Sequence, residues 1–184
     1  MSEINVLVWS NDFFLRWSDF NAESNSAAFE DSHSIIKYRH TWTISSDEIE
    51  NQIIFFIENI QLSVEFYPVL SWVRTSETND DLLKHEQGHF DLAELVKREN
   101  LEKLQNKFYQ KQFPTRGKNE DQGKQFAKED SGKMIAIEVY KLEEILSKRR
   151  QEYDEQTNFG HNLRSEEHTS ELQSQAYLVC RLLL

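Results

Sequence analysis

The chain has 184 residues, 38% of them hydrophobic, and a formal net charge of −11. This length suffices for one domain with a buried core. The negative charge argues against a nucleic-acid partner, because binding a phosphate backbone requires a basic surface. No apolar run approaches the roughly 18 residues that suggest a transmembrane helix. Residues 1–11 lack the pattern of a signal peptide, so the cytoplasm is the default expectation.

The N-terminal half contains four segments that are typical of β-strands, because they are rich in β-branched and aromatic residues or alternate between apolar and polar ones. The predicted strands are residues 4–9, 34–44, 52–57 and 61–73. In the second of them His40 shares a face with Tyr38 and Trp42, and it is expected to be a half-exposed strand residue. Pro68 cannot donate to a ladder and marks a strand end or edge.

The C-terminal half predicts two long helices. The first covers residues 80–110, and the second covers residues 133–155 with an apolar stripe at helical spacing. Residues 111–132 contain a proline and three glycines among charged residues, which indicates a polar, mobile connection. Strands followed by helices predict an α+β fold, in which an N-terminal antiparallel-type sheet precedes two long helices.

The first predicted helix contains an H-E-x-x-H sequence at His85, Glu86 and His89. Histidines four residues apart lie on one face of a helix, so both imidazoles can bind one metal ion. Glu86 lies beside the pair, where its carboxylate can accept a proton from an attacking water. Zn²⁺ is the expected ion, because neutral imidazole is one of its common ligands. Two core-facing histidines satisfied by backbone carbonyls are the alternative interpretation.

The last part of the chain differs in origin from the rest. Residues 164–174 read RSEEHTSELQS, and residues 178–184 read LVCRLLL. Both match the translation of a common sequencing-library adapter in one frame, with an index-sized gap between them. We therefore expect residues 1–163 to form a single domain and residues 164–184 to be a non-native tail. The only cysteine, Cys180, lies in that tail, so residues 1–163 contain no cysteine ligand or nucleophile.

Several short motifs together resemble a known family. They are WSDF at residues 17–20, SWV at residues 71–73, LLKHEQGHFD at residues 82–91 and YDEQT at residues 153–157. The chain resembles the bacterial zinc-dependent protease family catalogued as domain of unknown function 922, in the zincin-like group. The matching pieces extend over nearly all of residues 1–163.

The resemblance implies a zincin-like fold and metal-assisted hydrolysis of a peptide or protein substrate. His85 and His89 would hold Zn²⁺, and Glu86 would activate the water and pass its proton to the leaving amine. The strand before the H-E-x-x-H helix would lie beside the metal and hold extended peptide by strand addition. The resemblance also leaves export open as a location, and it does not define an oligomeric state.

The third metal ligand is open at this point. The family pattern is expected to carry a histidine two residues after Thr157, where this chain has Phe159. A catalytic zinc normally takes three protein ligands, and the remaining candidates are Asp154 and His161. Tyr153 would either polarise the scissile carbonyl or pack. The departure at Phe159 also supports an alternative function, a non-catalytic zincin-like binding module with a degenerate or structural metal site.

Gly88 lies between the two histidines, although glycine in a helix costs about 1 kcal/mol relative to alanine. We therefore expect another element, such as the second helix or a strand, to pack closely against this point of the first helix.

Overall fold

The computed structural model describes residues 5–113 and 116–161, which form six strands and two long helices. The predicted adapter-derived tail lies outside the described residues. The strands are β1 (Leu7–Val8), β2 (Ser32–His33), β3 (Ile36–Ile49), β4 (Gln52–Phe66), β5 (Trp72–Val73) and β6 (Gln112–Phe113). The helices are α1 (Asp80–Phe108) and α2 (Glu120–Thr157).

The strands form two antiparallel sheets, which together with the helices confirm the predicted α+β fold. The larger sheet has the order β1-β4-β3, and β6 also pairs with β4. The smaller sheet consists of β2 and β5. In the first nine residues of β3, buried or half-buried side chains alternate with exposed ones, as the period of two predicts. His40 is half-buried there and stacks on Trp42, as expected for a strand residue.

The prediction of two separate strands in residues 52–73 was wrong, because β4 runs without interruption from Gln52 to Phe66. The polar residues that suggested a break form an irregularity inside the strand. Asn59 has a φ of 51°, and the register with β3 shifts between Thr41 and Thr43. A bulge accommodates such residues without ending the ladder.

The prediction of a polar connection up to residue 132 was also wrong, because α2 already begins at Glu120. Asn119 caps the helix by accepting a hydrogen bond from the backbone N–H of Gln122 at 2.9 Å. Gly132 lies inside the helix, where a Cβ would be 2.9 Å from Cζ2 of Trp42. The indole of β3 therefore requires a glycine here, and this contact was not visible in the local sequence.

The core lies between the larger sheet and the two helices. The predicted apolar stripe of the second helix is confirmed, since Ile135, Val139, Leu142 and Leu146 are all buried. Phe55 and Phe66 of β4 and Phe90 of α1 are fully buried against the same core. This packing holds α1 beside α2 and so determines which side chains of the two helices meet. Within the described residues, neither helix is long and apolar enough to cross a membrane.

Candidate metal centre

Helix α1 presents the two histidines of the H-E-x-x-H sequence on its buried face. Asn79 caps this helix, and its side chain accepts from the backbone N–H groups of Asp81 and Leu82. His85 and His89 follow one helical turn apart and are 5% and 3% exposed. Their Nε2 atoms lie 3.1 Å from each other. The helix therefore orients both imidazoles toward one point.

The C-terminal part of α2 brings Asp154 to the same point. Its Oδ1 lies 2.9 Å from Nε2 of His89 and 3.3 Å from Nε2 of His85. Four-coordinate zinc with ligands at 2.0–2.1 Å has its ligand atoms about 3.3 Å apart. The three separations are close to this value. His85, His89 and Asp154 are thus a group that could hold a metal ion.

The hydrogen bonds of Thr157 define the role of the His85 ring. The Thr157 hydroxyl donates to the carbonyl oxygen of Tyr153 at 2.8 Å, so it has no second proton to give. It is also 3.1 Å from Nδ1 of His85 and must accept from the N–H there. In the neutral ring this tautomer leaves a lone pair on Nε2. That lone pair points into the cluster beside the Asp154 carboxylate, where a cation would relieve the repulsion.

Burial and neighbouring groups shift the pKa values of His89 and Asp154, the other two side chains of this group. Burial is the main cause that lowers the pKa of His89, to about 4, and the nearby positive charge of Arg150 adds to it. Burial by itself would raise the pKa of Asp154, but its contacts with His85 and His89 outweigh burial and hold that pKa well below its usual range. At neutral pH the cluster thus offers a neutral His89 and an ionised carboxylate, which are the protonation states that metal ligands require.

Glu86 is 2% exposed, and hydroxyl groups hold both of its carboxylate oxygens. Ser32 donates to Oε1 at 2.5 Å, and Ser34 donates to Oε2. Burial would raise the pKa of Glu86, but the charges of His89 and His85 and these two hydroxyl groups outweigh it, so the pKa is lowered. The carboxylate therefore stays ionised and fixed beside the two imidazoles, and it lines the same cavity.

Tyr153 packs beneath the two histidines. Its ring stacks on His85 with centroids 4.9 Å apart and meets His89 edge-on at 5.1 Å. Its hydroxyl is 3.5 Å from the carbonyl oxygen of His85. A Cβ at Gly88 would overlap that hydroxyl and lie 2.8 Å from the ring carbon Cζ. The expectation of close packing at Gly88 is thereby confirmed, and of the two roles considered for Tyr153 the contacts describe the packing one.

The turn after α2 contains His161 and the departure at Phe159. Nε2 of His161 lies 3.0 Å from Oδ2 of Asp31, and the side chain is 53% exposed. Phe159 meets Phe29 edge-on with centroids 5.5 Å apart. Gly160 passes over His85, where a Cβ would be 3.2 Å from Cβ and Cγ of the imidazole. Of the two candidates for a third ligand, the structure thus brings Asp154 to the histidines and places His161 at Asp31.

A cleft of about 560 Å³ opens directly onto the cluster. Its walls come from β2, the H-E-x-x-H segment of α1 and one face of α2. The sequence predicted that the strand before α1 would border the metal. The strand that directly precedes α1 is β5, which has two residues and pairs with β2. The wall beside the histidines is formed by β2, whose Ser32 donates a hydrogen bond to Glu86. The group that could hold a metal ion therefore lines an open cleft.

The acidic residues further along α1 belong to a separate network. Asp91 accepts from Nε1 of Trp9 at 2.8 Å and from Gln87 at 3.0 Å. Glu94 is ion-paired with Lys97 and Arg98. The hydrogen bond between Trp9 and Asp91 anchors the N-terminal segment on α1. Nδ1 of His89 is buried without a hydrogen-bond partner in the described part of the chain.

Three groups at the site were not identified from the sequence. Ser32 and Ser34 are spaced two apart, which places them on one face of an extended segment, but nothing local indicates that this face meets a residue more than 50 positions later. Thr157 follows Tyr153 by one helical turn, so a longer predicted second helix would have placed it on the same face. Comparison with protein families, curated proteins and solved structures yields no match for this chain.

Proposed function

We propose that the chain is a zinc-dependent metallopeptidase of the zincin-like group, related to the family that its motifs resemble. The observation that carries this proposal is the convergence of Nε2 of His85, Nε2 of His89 and Oδ1 of Asp154 within 3.3 Å of one another, at the base of an open cleft that Glu86 also lines. Two imidazoles and one carboxylate match a frequent ligand set of catalytic zinc.

The residues of the site support a division of roles in peptide hydrolysis. Bound zinc would supply a Lewis acid that lowers the pKa of a water and polarises the scissile carbonyl. Glu86 is positioned to accept the proton of the attacking water as the new carbon–oxygen bond forms. It would then deliver that proton to the amide nitrogen as the carbon–nitrogen bond breaks. Hydrogen bonds from Ser32 and Ser34 hold its carboxylate in place.

The arrangement argues against the alternative of a purely structural site. Structural zinc sites are closed by four protein ligands, whereas catalytic sites keep one position open. Within the described residues the group contains three ligand atoms, and it borders a cleft. The absence of a histidine at position 159 is a weaker argument for a degenerate site than the sequence alone suggests, because Asp154 on α2 is positioned to be the third ligand.

The test combines metal analysis with a matched pair of substitutions. Protein purified without chelator should contain about one zinc per chain, and H85A or H89A should lose it. Glu86→Gln should retain the zinc and lose hydrolysis of an unfolded protein substrate, since Glu86 is not a ligand. Glu77→Gln, an acidic residue before α1 and away from the cleft lining, serves as the control. Wild-type protein without bound metal, or E86Q with full activity, would contradict the proposal.

A further inference from the structure

Arg150 projects into the same cleft from the wall formed by α2. It precedes Asp154 by one helical turn, so the two side chains lie on one face of the helix. The residue is half-buried and lines the cleft together with His85 and His89. One of its terminal N–H groups donates to the carbonyl oxygen of Ser34 at 3.0 Å. The guanidinium is thus held between α2 and the segment that follows β2.

Arg150 forms no direct ion pair with a carboxylate in the described part of the chain, although the acidic residues of the cleft lining are Glu30, Asp31, Glu86, Glu143, Asp154 and Glu155. The neighbouring Arg149 differs, because it pairs with Glu99 of α1 at 2.7 Å. In a chain with a net charge of −11, a half-buried arginine without such a partner is unusual.

The donors of Arg150 exceed its present partners. A guanidinium carries five N–H groups in a planar fork, and the bond to Ser34 uses one of them. A partly desolvated cation is unfavourable unless an anion completes its surroundings. Arg150 lines the same cleft as His85, His89 and Asp154, which is where a substrate would be cleaved.

We propose that Arg150 is the anion-binding residue of this cleft and that it binds a negatively charged oxygen of the peptide substrate. This inference rests on the proposed function. The oxygen has two sources. One is the scissile carbonyl, whose oxygen gains negative charge when water attacks its carbon and the π electrons move onto it. The other is the C-terminal carboxylate of a short peptide. Fixed cations at such a position stabilise the developing charge without reorganisation.

Two phosphinic dipeptide isosteres separate these sources, because both carry a tetrahedral anionic centre and only one carries a free C-terminal carboxylate. The other ends in an amide. Affinity for each would be measured by calorimetry on zinc-loaded wild type, R150Q, R150K and R149Q. Glutamine can still donate a hydrogen bond to the carbonyl oxygen of Ser34. R150Q therefore removes the positive charge but retains a donor to the segment that follows β2. Arg149→Gln removes a neighbouring arginine outside the cleft.

We expect R150Q to bind the amide isostere roughly 10- to 100-fold more weakly, which is the range of a lost charge-assisted hydrogen bond. R150K should recover part of this loss, and R149Q should bind as the wild type does. A loss confined to the carboxylate isostere assigns the bound oxygen to the peptide C-terminus. Equal affinities of wild type and R150Q for both isosteres overturn the proposal for Arg150.

Zinc content and circular dichroism of each variant separate this proposal from the function on which it rests. A wild type that takes up no zinc overturns the metallopeptidase proposal. A wild type that takes up zinc and binds neither isostere overturns the role of Arg150 alone. If R150Q loses zinc or helical signal, R150K is the deciding variant, because it keeps the charge. Affinity of R150K for the isosteres clearly below that of R149Q, at full zinc content, then supports the role, and equal affinities of R150K and R149Q contradict it.

Discussion

The hydroxyl of Thr157 links His85 to the last turn of α2, because its oxygen is 3.1 Å from Nδ1 of His85 and donates to the carbonyl oxygen of Tyr153 at 2.8 Å. This contact orients one proposed metal ligand through the element that carries another, Asp154. Ligand orientation and the end of α2 are therefore coupled.

Thr157→Val should weaken zinc binding by roughly 10- to 100-fold, the usual effect of removing a hydrogen-bond partner of a ligating histidine. Valine keeps the shape of threonine and loses the hydroxyl, so the Nδ1–H of His85 is left without an acceptor. Zinc affinity would be measured by competition with a chromophoric chelator. Thr157→Ser retains the hydroxyl and should bind zinc nearly as well as the wild type. Equal affinities of the valine and serine variants would show that the contact does not orient the ligand.

Asp154 and His161 can be separated by their effects on metal affinity. Asp154→Ala removes one of the three converging ligand atoms. It should weaken zinc binding by more than about 100-fold, the largest loss usually seen when only a hydrogen-bond partner of a ligand is removed. His161→Ala should leave zinc affinity unchanged. The His161 side chain is largely exposed, so loss of its contact with Asp31 should change stability by no more than about 1 kcal/mol. The same competition titration measures both variants, and a larger loss in H161A than in D154A would reverse the assignment.

Gly88→Ala should destabilise the fold by about 1–3 kcal/mol, the usual cost of overpacking a core. Helix propensity alone would make alanine more favourable than glycine by about 1 kcal/mol. A decrease in the free energy of unfolding would therefore identify the clash with Tyr153 as the larger effect. Urea unfolding of the metal-free protein gives the free energy of unfolding. Tyr153→Phe removes the hydroxyl oxygen that this Cβ would overlap. The double variant G88A/Y153F should therefore recover part of the lost stability. A G88A variant as stable as the wild type would mean that the helices do not approach as described.

Removal of the serine hydroxyl groups should move the acid limit of activity. The pKa of Glu86 is lowered partly by Ser32 and Ser34, so their loss lets the desolvation caused by burial raise it. A base with a higher pKa becomes protonated at a higher pH, and activity should therefore fall off earlier as the pH decreases. The pH dependence of kcat/KM for S32A, S34A and the double variant tests this expectation. Ser76→Ala, an exposed serine before α1, is the matched control. A shift of the acid limb to lower pH would contradict the role of the hydroxyl groups.

Much of the centre follows from local sequence, since helical periodicity alone places His85 and His89 on one face with Glu86 beside them. The same periodicity predicted the stripe of α2 that is buried in the core. These features depend on residues a few positions apart, and backbone geometry fixes their relation. The long β4 and the early start of α2 were missed, because a bulge at Asn59 and a glycine under Trp42 look like breaks until the neighbouring element is present.

The completion of the site depended on contacts between distant segments. Asp154 and His161 were equivalent candidates in the sequence, and the packing of α2 on α1 brought only the former to the histidines. Ser32, Ser34 and Arg150 reach the centre from segments that approach one another only in the folded chain. Local periodicity therefore determined which face of α1 carries the motif. Only the tertiary structure decided its partners, because long-range packing and not spacing along the chain sets the distances between them.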